Sequence, residues 1–283
     1  MTGILPISQS GFSADFDLTG SGEKHQFCGN YFTVGCLEVE KHEGMNLDGI
    51  DMTNKVVLRR RKISCHRPLC PTCWGDWANR EAERAVYRLN SYTVQSNRGM
   101  TLKPIHVIVS VPWQHYKFSI QAMRVRAYRA LKRVHFLGGM MIYHPKREDE
   151  KHKVWYFSPH FHALGYGWIT DVRANYIYSG YIVKNVGIRK TLHGTIYYQL
   201  SHCGISKEVH TVTWFGKLCY SKLRVNYPIE EPEVCPLCGG DLHEVVWIGK
   251  GECQLLDVEG ITFFDDPKNW SVKPRLRFEK YAS

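Results

Sequence analysis

The sequence predicts an α+β protein in which strands and helices alternate through the central part of the chain, with zinc-binding modules on either side. Alternating or continuous apolar runs typical of strands recur between residues 105 and 215, and segments with helical spacing separate them. Cysteines cluster on both sides of this region at the short spacings that zinc sites use. We expect four parts: a flexible tail (1–25), an N-terminal zinc module with a basic helix (26–98), a core (99–226) and a C-terminal zinc-knuckle segment (227–283).

The elements are predicted in chain order from these patterns. Short apolar runs between 27 and 57 indicate weak strands, and further short strands follow the last cysteine pair. Three longer helices are expected at Trp74–Tyr92, from the N-cap Ser119 to His135, and at Thr191–Cys203. Strands of the core are expected at Ile105–Val111, Met140–His144, Val154–Gly165, Tyr181–Val183 and Val209–Phe215, with a loop at Pro145–Lys153, a short helix after Asp171 and an acidic linker at Tyr227–Glu233.

The charge balance indicates an anionic partner. Lys and Arg number 37 against 27 Asp and Glu, a formal net charge of +10, and 13% of residues are aromatic. Such a surplus favours nucleic acid, and aromatic rings can stack on unpaired bases. Two basic segments are predicted phosphate contacts, the alternative being ordinary solvated faces: Arg59, Arg60, Arg61 and Lys62, and then Arg124, Arg129 and Arg133.

No targeting or membrane segment is expected. Residues 1–26 lack a basic stretch followed by an apolar one, and no run approaches the roughly 18 apolar residues of a membrane span. We therefore expect a soluble, cytoplasmic protein without a membrane partner. In that compartment the ten cysteines are better explained by zinc than by disulfides.

Two cysteine groups are candidate structural Zn²⁺ sites. Cys65, Cys70 and Cys73 supply three thiolates in one loop, and tetrahedral zinc needs a fourth ligand. Candidates for that ligand are Cys36 and Cys28 from the preceding strands, with His66 as the local competitor. Cys235 and Cys238 form a second knuckle, whose open choice of partners is His243, Cys253, Cys203 or Cys219; reduced buried thiols are the alternative.

The segment Ser158–Gly165 carries the first chemical signal. His160 and His162 flank Phe161, and side chains alternate along a strand, so both imidazoles project to one side about 6.6 Å apart. Two neutral imidazoles at that separation can hold one divalent metal, which can polarise a phosphate oxygen. The alternative is a strand with two incidental histidines.

The helix at Thr191–Cys203 carries the second signal. At 100° per residue its apolar stripe is Leu192, Ile196, Leu200 and Cys203, and its polar stripe is Thr191, Thr195, Tyr198 and His202. Tyr198 and His202 are i, i+4 neighbours, and a tyrosine hydroxyl needs a nearby base or cation to attack at neutral pH. Tyr198 is the candidate nucleophile with His202 as its aid, and Tyr197 is the fallback.

These two segments carry a family resemblance. Pro159–Leu164 (PHFHAL) and Tyr197–His202 (YYQLSH) resemble motifs two and three of the HUH endonucleases, and more narrowly of the rolling-circle replication initiators (Rep proteins) of archaeal plasmids and viruses. Ile105–Pro112 resembles their first motif, and the resemblance extends over about residues 65–240. Trp214–Lys217, Tyr220–Leu223 and the cysteine knuckles also fit.

The resemblance implies a fold and a chemistry. The fold is a five-stranded antiparallel sheet with helices on one face, the HUH endonuclease fold. The third metal ligand in such sites comes from a neighbouring strand, for which His144 is our choice; the alternative is that His144 begins the loop and is exposed to solvent. The coordination positions left open on the ion suit Mn²⁺ or Mg²⁺. Many relatives carry a lysine three residues after the tyrosine, where this chain has Ser201; His202 is the candidate substitute.

The expected function is site-specific nicking and rejoining of single-stranded DNA through a 5′-phosphotyrosine, which initiates rolling-circle replication of a plasmid or virus. Expected partners are single-stranded DNA at a replication origin, host replication proteins and a separate helicase, because no phosphate-binding Walker loop is present. One alternative is a transposase of the HUH type. Another is a zinc-dependent nucleic-acid-binding regulator without catalysis.

Overall fold

The computed structural model describes residues 16–47, 49–92, 101–149, 151–228, 232–251 and 260–273. The protein is α+β with antiparallel sheets, as predicted. It divides into two compact units, the first formed by residues 1–25 and 66–227 and the second by residues 26–65 and 228–283. Within the described ranges no helix has the length and apolar character that crossing a bilayer requires.

The strands and helices are numbered along the chain. The strands are β1 (Asp17–Leu18), β2 (Tyr31–Cys36), β3 (Asn46–Leu47), β4 (Ile50–Asp51), β5 (Val56–Lys62), β6 (Ile105–Ser110), β7 (Phe136–Asp149), β8 (Val154–Gly167), β9 (Ile182–Ile188), β10 (Gly204–Ile205), β11 (Val212–Gly216), β12 (His243–Trp247), β13 (Thr262–Asp265) and β14 (Trp270–Val272). The α-helices are α1 (Trp74–Asn90), α2 (Ile120–Arg133), α3 (Val172–Ser179) and α4 (Leu192–Leu200).

The first unit is built on a five-stranded antiparallel sheet in the order β11-β7-β8-β6-β9. Its centre is the long β7–β8 hairpin. The predicted loop at Pro145–Lys153 is wrong in part, because β7 continues to Asp149. Pro145 lies at a register shift between His144 and Lys146, and a bulge is one of the few places where a strand tolerates proline.

Helices cover both faces of this sheet, not the single face that the resemblance implied. On one face α2 packs with Val107, Val109 and Phe161. On the other, α1 and α4 pack with Met140, Ile142 and Leu164. The physical reason is that β7 is apolar on both sides, since Met141 and Tyr143 alternate with Met140 and Ile142 and each set needs a cover.

The helices start and end close to their predicted bounds. Ser119 caps α2, because its side-chain oxygen accepts a hydrogen bond from the Ala122 N–H at 3.2 Å. Helix α4 is shorter than predicted and ends at Leu200. Its predicted apolar stripe is nevertheless buried at Ile196, Leu200 and Cys203.

Part of the predicted N-terminal tail belongs to the first unit. Asp17 and Leu18 pair with Ile205 and Gly204 in a two-stranded sheet. The remainder of that tail, residues 1–15, lies outside the described residues.

The second unit joins segments that we predicted to form separate modules. Its five-stranded antiparallel sheet has the order β13-β5-β2-β12-β14, so β5 and β2 are flanked on both sides by strands from the later segment of the chain. Register pairs such as Gly35 with His243 fuse residues 26–65 with 228–283. Helix α1, which we placed in the N-terminal zinc module, belongs to the first unit.

The closest approach of β7 and β8 gives a stability prediction. Gly139 and Gly165 pair directly, and a Cβ on Gly165 would overlap the carbonyl oxygen of Gly138. We expect Gly165→Ala to lower the free energy of unfolding by about 1–3 kcal/mol, since neither strand can move without breaking the ladder. Urea denaturation measures the change.

The matched control is Gly75→Ala in α1, where an added Cβ meets nothing closer than the Tyr197 hydroxyl at 3.5 Å. It should be neutral or stabilising by up to about 1 kcal/mol, because alanine favours helix more than glycine does. Equal effects of the two substitutions would contradict the tight β7–β8 contact.

Candidate metal and tyrosine site

Strand register brings three histidines together on the first unit's sheet. His144 on β7 lies opposite His160 on β8, and His162 follows on the same side two residues later. Their ligand atoms all lie within 4.8 Å of one another, and all three side chains are buried. This group, the histidine cluster, has the residue types and spacing of a metal site. The side of the sheet that carries it is called the histidine face below.

One nitrogen of each ring is already engaged, which orients the other. The Nδ1 atom of His160 lies 2.8 Å from the Ser158 carbonyl oxygen, and that of His162 lies 2.7 Å from Nε2 of His106. His144 makes a hydrogen bond with the backbone of Gln199, and its buried Nε2 has no partner. A buried nitrogen that has no hydrogen-bond partner and is surrounded by other imidazoles is what a metal ligand would look like without its ion.

The histidine cluster is held neutral. Burial, and after it the charge of nearby Arg147, lowers the pKa of His160 to about 4, against the opposing effect of the Ser158 hydrogen bond. Burial likewise holds the pKa values of His144 and His162 well below their usual range. Only the neutral imidazole has a free lone pair, so these rings are in the form that binds metal.

Helix α4 and the turn after it place Tyr198 and His202 beside the histidine cluster. The ring centroid of His202 lies 4.6 Å from that of His144 and 4.7 Å from that of Tyr198. Tyr198 is 63% exposed. Burial lowers the pKa of His202, although a hydrogen bond with the Tyr198 backbone opposes this, so the ring is neutral and can accept a proton.

Tyr197 and Ser201 are directed elsewhere. The ring of Tyr197 packs against Trp74 at 6.2 Å between centroids, in the apolar cluster under α1. The hydroxyl of Ser201 donates to the Tyr198 carbonyl at 2.8 Å and so closes the end of the helix. Of the two adjacent tyrosines, Tyr198 is the one whose ring contacts His202, the neighbour of His144.

Sequence reasoning missed His106 on β6. It is buried, its own pKa is lowered to about 4 by burial, with a smaller contribution from Arg189, and its Nε2 contacts the ring of His162. A polar residue in the otherwise apolar strand Ile105–Ser110 was the available signal. Its contact with His162 spans 56 residues and depends on the β6–β8 register.

The basic residues predicted to contact DNA have different surroundings. Arg124 is only 2% exposed and donates to the His210 carbonyl at 3.0 Å, so its role as a phosphate contact is corrected. Arg129 and Arg133 are exposed on α2, and the Arg133 guanidinium lies 4.1 Å from the Tyr178 ring centroid.

The other basic segment, Arg59–Lys62, lies on β5 of the second unit. Arg59 and Arg61 both form ion pairs with Glu233, and Arg60 lies over the ring of Tyr31. One carboxylate therefore offsets part of the charge of Arg59–Lys62, and its use as a DNA contact stays a prediction.

The second unit holds a group of four metal-ligand side chains. Cys36, His42, Cys235 and Cys238 place their ligand atoms within 4.8 Å of one another. The Cys36 and Cys238 sulfurs are 3.7 Å apart, and Nε2 of His42 lies 3.4 Å from the Cys235 sulfur. Tetrahedral zinc with bonds of about 2.3 Å separates two thiolates by roughly 3.8 Å, so the group is compatible with a bound metal such as zinc.

This group corrects two sequence assignments. Cys36 was a candidate fourth ligand for Cys65, Cys70 and Cys73, but it joins the second knuckle. The partners of Cys235 and Cys238 are thus Cys36 and His42. Of our four candidates, His243 lies on β12, Cys203 and Cys219 belong to the first unit, and Cys253 lies outside the described residues.

Hydrogen bonds orient His42 and lower the pKa of Cys238. Nδ1 of His42 lies 2.9 Å from the Lys55 carbonyl, which leaves Nε2 directed at the thiols. Burial raises the pKa of Cys36 to about 12, whereas for Cys238 contacts led by the Gly240 N–H outweigh burial and lower it to about 7. Without a cation, then, Cys238 ionises first and Cys36 keeps its proton.

The first cysteine group divides between the units. Cys70 and Cys73 precede α1 in the first unit, and Cys28 and Cys65 belong to the second. Burial raises the pKa of the Cys70 thiol, but backbone N–H groups of Thr72, His25 and Cys73 lower it to about 6. Zinc binding by this group stays a prediction from its spacing.

Comparison with known proteins identifies no family. No protein-family model, no curated protein and no solved structure matches this chain significantly. Its function is therefore inferred from its residues and their geometry.

The lowered pKa values predict how metal binding depends on pH. Three imidazoles of ordinary pKa, about 6.5, would lose about fiftyfold in affinity between pH 7.5 and 6.0 through protonation alone. Because the pKa values here are lowered, with that of His160 about 4, we expect less than a threefold loss. Affinity should fall only as the pH approaches about 4.

Mn²⁺ titration followed by electron paramagnetic resonance, with the zinc sites filled, measures this. His160→Ala should abolish the titrated site and so identifies it. A loss of tens-fold by pH 6.0 in the wild-type protein would contradict the buried, neutral cluster.

The four-ligand group gives a second prediction. His42→Ala should remove one equivalent of zinc per chain, because three thiolates alone leave the tetrahedron incomplete. Elemental analysis after dialysis measures the metal content. His243→Ala is the matched control, because this exposed histidine was a candidate by sequence and should keep the full content. The reverse pattern would refute the assignment.

Proposed function

We propose that this chain is a metal-dependent endonuclease and strand transferase of the HUH type, which nicks and rejoins single-stranded DNA and initiates rolling-circle replication of a plasmid or virus. The observation that carries the proposal is the meeting of the histidine cluster with an exposed tyrosine, Tyr198, across one intervening imidazole, His202. A nucleophile, a base and a cation site are the parts that phosphodiester transfer to tyrosine requires.

The histidine cluster would hold the ion through His144, His160 and His162. When bound, a divalent ion supplies polarisation of a non-bridging phosphate oxygen and stabilises charge on the departing 3′-oxygen. Mg²⁺ prefers oxygen ligands, whereas imidazole suits transition metals. Of the two ions predicted from the sequence, the donor set therefore favours Mn²⁺.

The charge of the site favours an anionic substrate. Three neutral imidazoles offset none of the charge of a divalent ion, and Arg147 adds a further positive charge nearby. Among the described residues, the group of possible metal ligands at this site consists of the three histidines and contains no carboxylate. A phosphodiester provides the missing negative charge.

Tyr198 is the proposed nucleophile. His202 accepts the proton of the Tyr198 hydroxyl, and the phenolic oxygen forms a bond to phosphorus. The bond from phosphorus to the 3′-oxygen breaks, and that oxygen takes up a proton to become a free 3′-OH. The 5′-phosphate stays on Tyr198, and a later attack by a 3′-OH reverses these steps and reseals the strand.

His202 takes the place that many relatives give to a lysine. Ser201 is engaged at the end of α4, while the ring of His202 lies between Tyr198 and His144. A neutral imidazole there can accept a proton, which a lysine ammonium does not do.

Structural zinc completes the proposal for the second unit. Cys36, His42, Cys235 and Cys238 would hold one Zn²⁺ with all four tetrahedral positions filled, which leaves none for substrate. The ion would link β2 to the segment before β12 and so stabilise the unit without taking part in the reaction.

The test is covalent capture of DNA. The protein is incubated with Mn²⁺ and single strands drawn from the plasmid or viral origin, and a shifted protein–DNA band is sought on a denaturing gel. We expect a band in the wild type and its loss in Tyr198→Phe, by a factor of at least a hundred, because phenylalanine has no attacking oxygen.

Tyr197→Phe is the matched control and should keep the band, since this ring packs against Trp74. Absence of a wild-type band, with DNA binding unaffected by Tyr198→Phe, would instead favour the non-catalytic regulator. A band that survives only in Tyr198→Phe and not in Tyr197→Phe would exchange the roles of the two tyrosines.

A further inference from the structure

We infer that Arg147 and Tyr156 form a binding subsite for one nucleotide of the substrate strand beside the histidine cluster. Arg147 binds a backbone phosphate and the ring of Tyr156 stacks on the adjoining unpaired base. This inference rests on the proposed function for the identity of the strand, and it adds the residues that hold it.

Arg147 follows the register shift between β7 and β8, and its guanidinium reaches the histidine face. The register shift at Pro145 pairs Arg147 with Tyr156, and its Nη2 lies 2.6 Å from the hydroxyl oxygen of Ser110. Ser110 in turn lies directly opposite His160. The guanidinium is therefore fixed one strand away from a metal-ligand histidine.

The charge of Arg147 is uncompensated within the described residues. No carboxylate there forms an ion pair with it, and its Nε is buried without a hydrogen-bond partner. A fixed guanidinium with donors to spare suits a phosphate, which accepts two parallel hydrogen bonds. The serine contact orients the guanidinium and leaves other donors free.

Tyr156 provides the stacking surface. Phe157 packs with Phe16 and Tyr116 on the side of the sheet that α2 covers, so the adjacent Tyr156 projects from the histidine face, and it is 43% exposed. Its cross-strand neighbour is Arg147. An exposed ring next to a free cation is the combination that single-strand binding sites use for one base and its phosphate.

The neighbouring residue shows that exposure alone does not make this subsite. Trp155 is 51% exposed, but side chains alternate along β8, so it projects from the side opposite Tyr156, the side that α2 covers. Of these two exposed rings, Tyr156 is the one that shares a face with Arg147 and the histidine cluster. Trp155 is therefore a control for the exposed ring of Tyr156.

The test measures binding of a fluorescent oligothymidylate by anisotropy in the presence of Mn²⁺ and over a range of salt. Arg147→Ala should weaken binding and reduce the slope of log affinity against log salt by about 0.7, the value for one lost phosphate contact on a single strand. Arg147→Lys should restore the slope. Tyr156→Leu should weaken binding about fivefold to a hundredfold and leave the slope unchanged.

The matched controls are Trp155→Leu for the aromatic ring and Arg173→Ala, an exposed arginine on α3, for the charge. Both should stay within twofold of the wild type. An unchanged slope in Arg147→Ala, or equal effects of Tyr156→Leu and Trp155→Leu, would overturn the subsite. Circular dichroism confirms that each variant is folded.

The two proposals fail separately. If no covalent band forms but Arg147 and Tyr156 govern binding as described, the nuclease proposal falls and the nucleotide subsite stands. If the band forms through Tyr198 while both variants bind DNA like the wild type, the subsite alone is wrong.

Discussion

The pairing of β7 with β8 is the constraint on which the first unit depends. These are the two longest strands, and their register sets which residues face each other. Because the side-chain period of a strand is two, a slip of one residue would move His160 and His162 to the opposite face and bury the apolar partners of α2 on the wrong side. The backbones of β7 and β8 approach closely at the directly paired Gly139 and Gly165, where a side chain would overlap the opposite strand. A register that placed other residues there would not fit, so the glycines favour this one. Packing of the core fixes this register, and the register in turn fixes where the three clustered histidines lie.

The two faces of that sheet are covered by different helices. Helix α2 buries the face that carries Phe161, and α1 and α4 bury part of the histidine face over Met140, Ile142 and Leu164. On β9, at the edge of the sheet, Ile182 and Lys184 share the histidine face and are exposed. The hydrogen bond from His144 to the Gln199 backbone connects α4 to the histidine cluster, so a residue of that cluster helps to position the helix that carries Tyr198. Apolar packing therefore covers one part of the histidine face and leaves the part on β9 exposed.

The second unit is held by a contact between distant parts of the chain. His42 and Cys235 are 193 residues apart, yet their side-chain atoms lie 3.4 Å from each other. Strand β2 pairs with β12 as well as with β5, and the pairing carries Cys36 toward the knuckle of Cys235 and Cys238. Closing a long loop costs only slightly more entropy than closing a short one, so the large separation in sequence adds little to the free-energy cost of this contact.

The sequence by itself determined whatever depends on local periodicity. Alternation along a strand placed His160 and His162 on one side, the helical period separated Ile196 and Leu200 from Tyr198, and C-x-x-C spacing marked Cys235 and Cys238 as ligands. Only the tertiary structure decided what depends on register across the chain. It supplied Cys36 and His42 to that knuckle, set His106 against His162, buried Arg124 and extended β7 past Pro145 to bring Arg147 to Ser110. Local geometry repeats every two or 3.6 residues and can be counted along a sequence, whereas the partner of a strand is chosen by burial and hydrogen bonding over the whole fold.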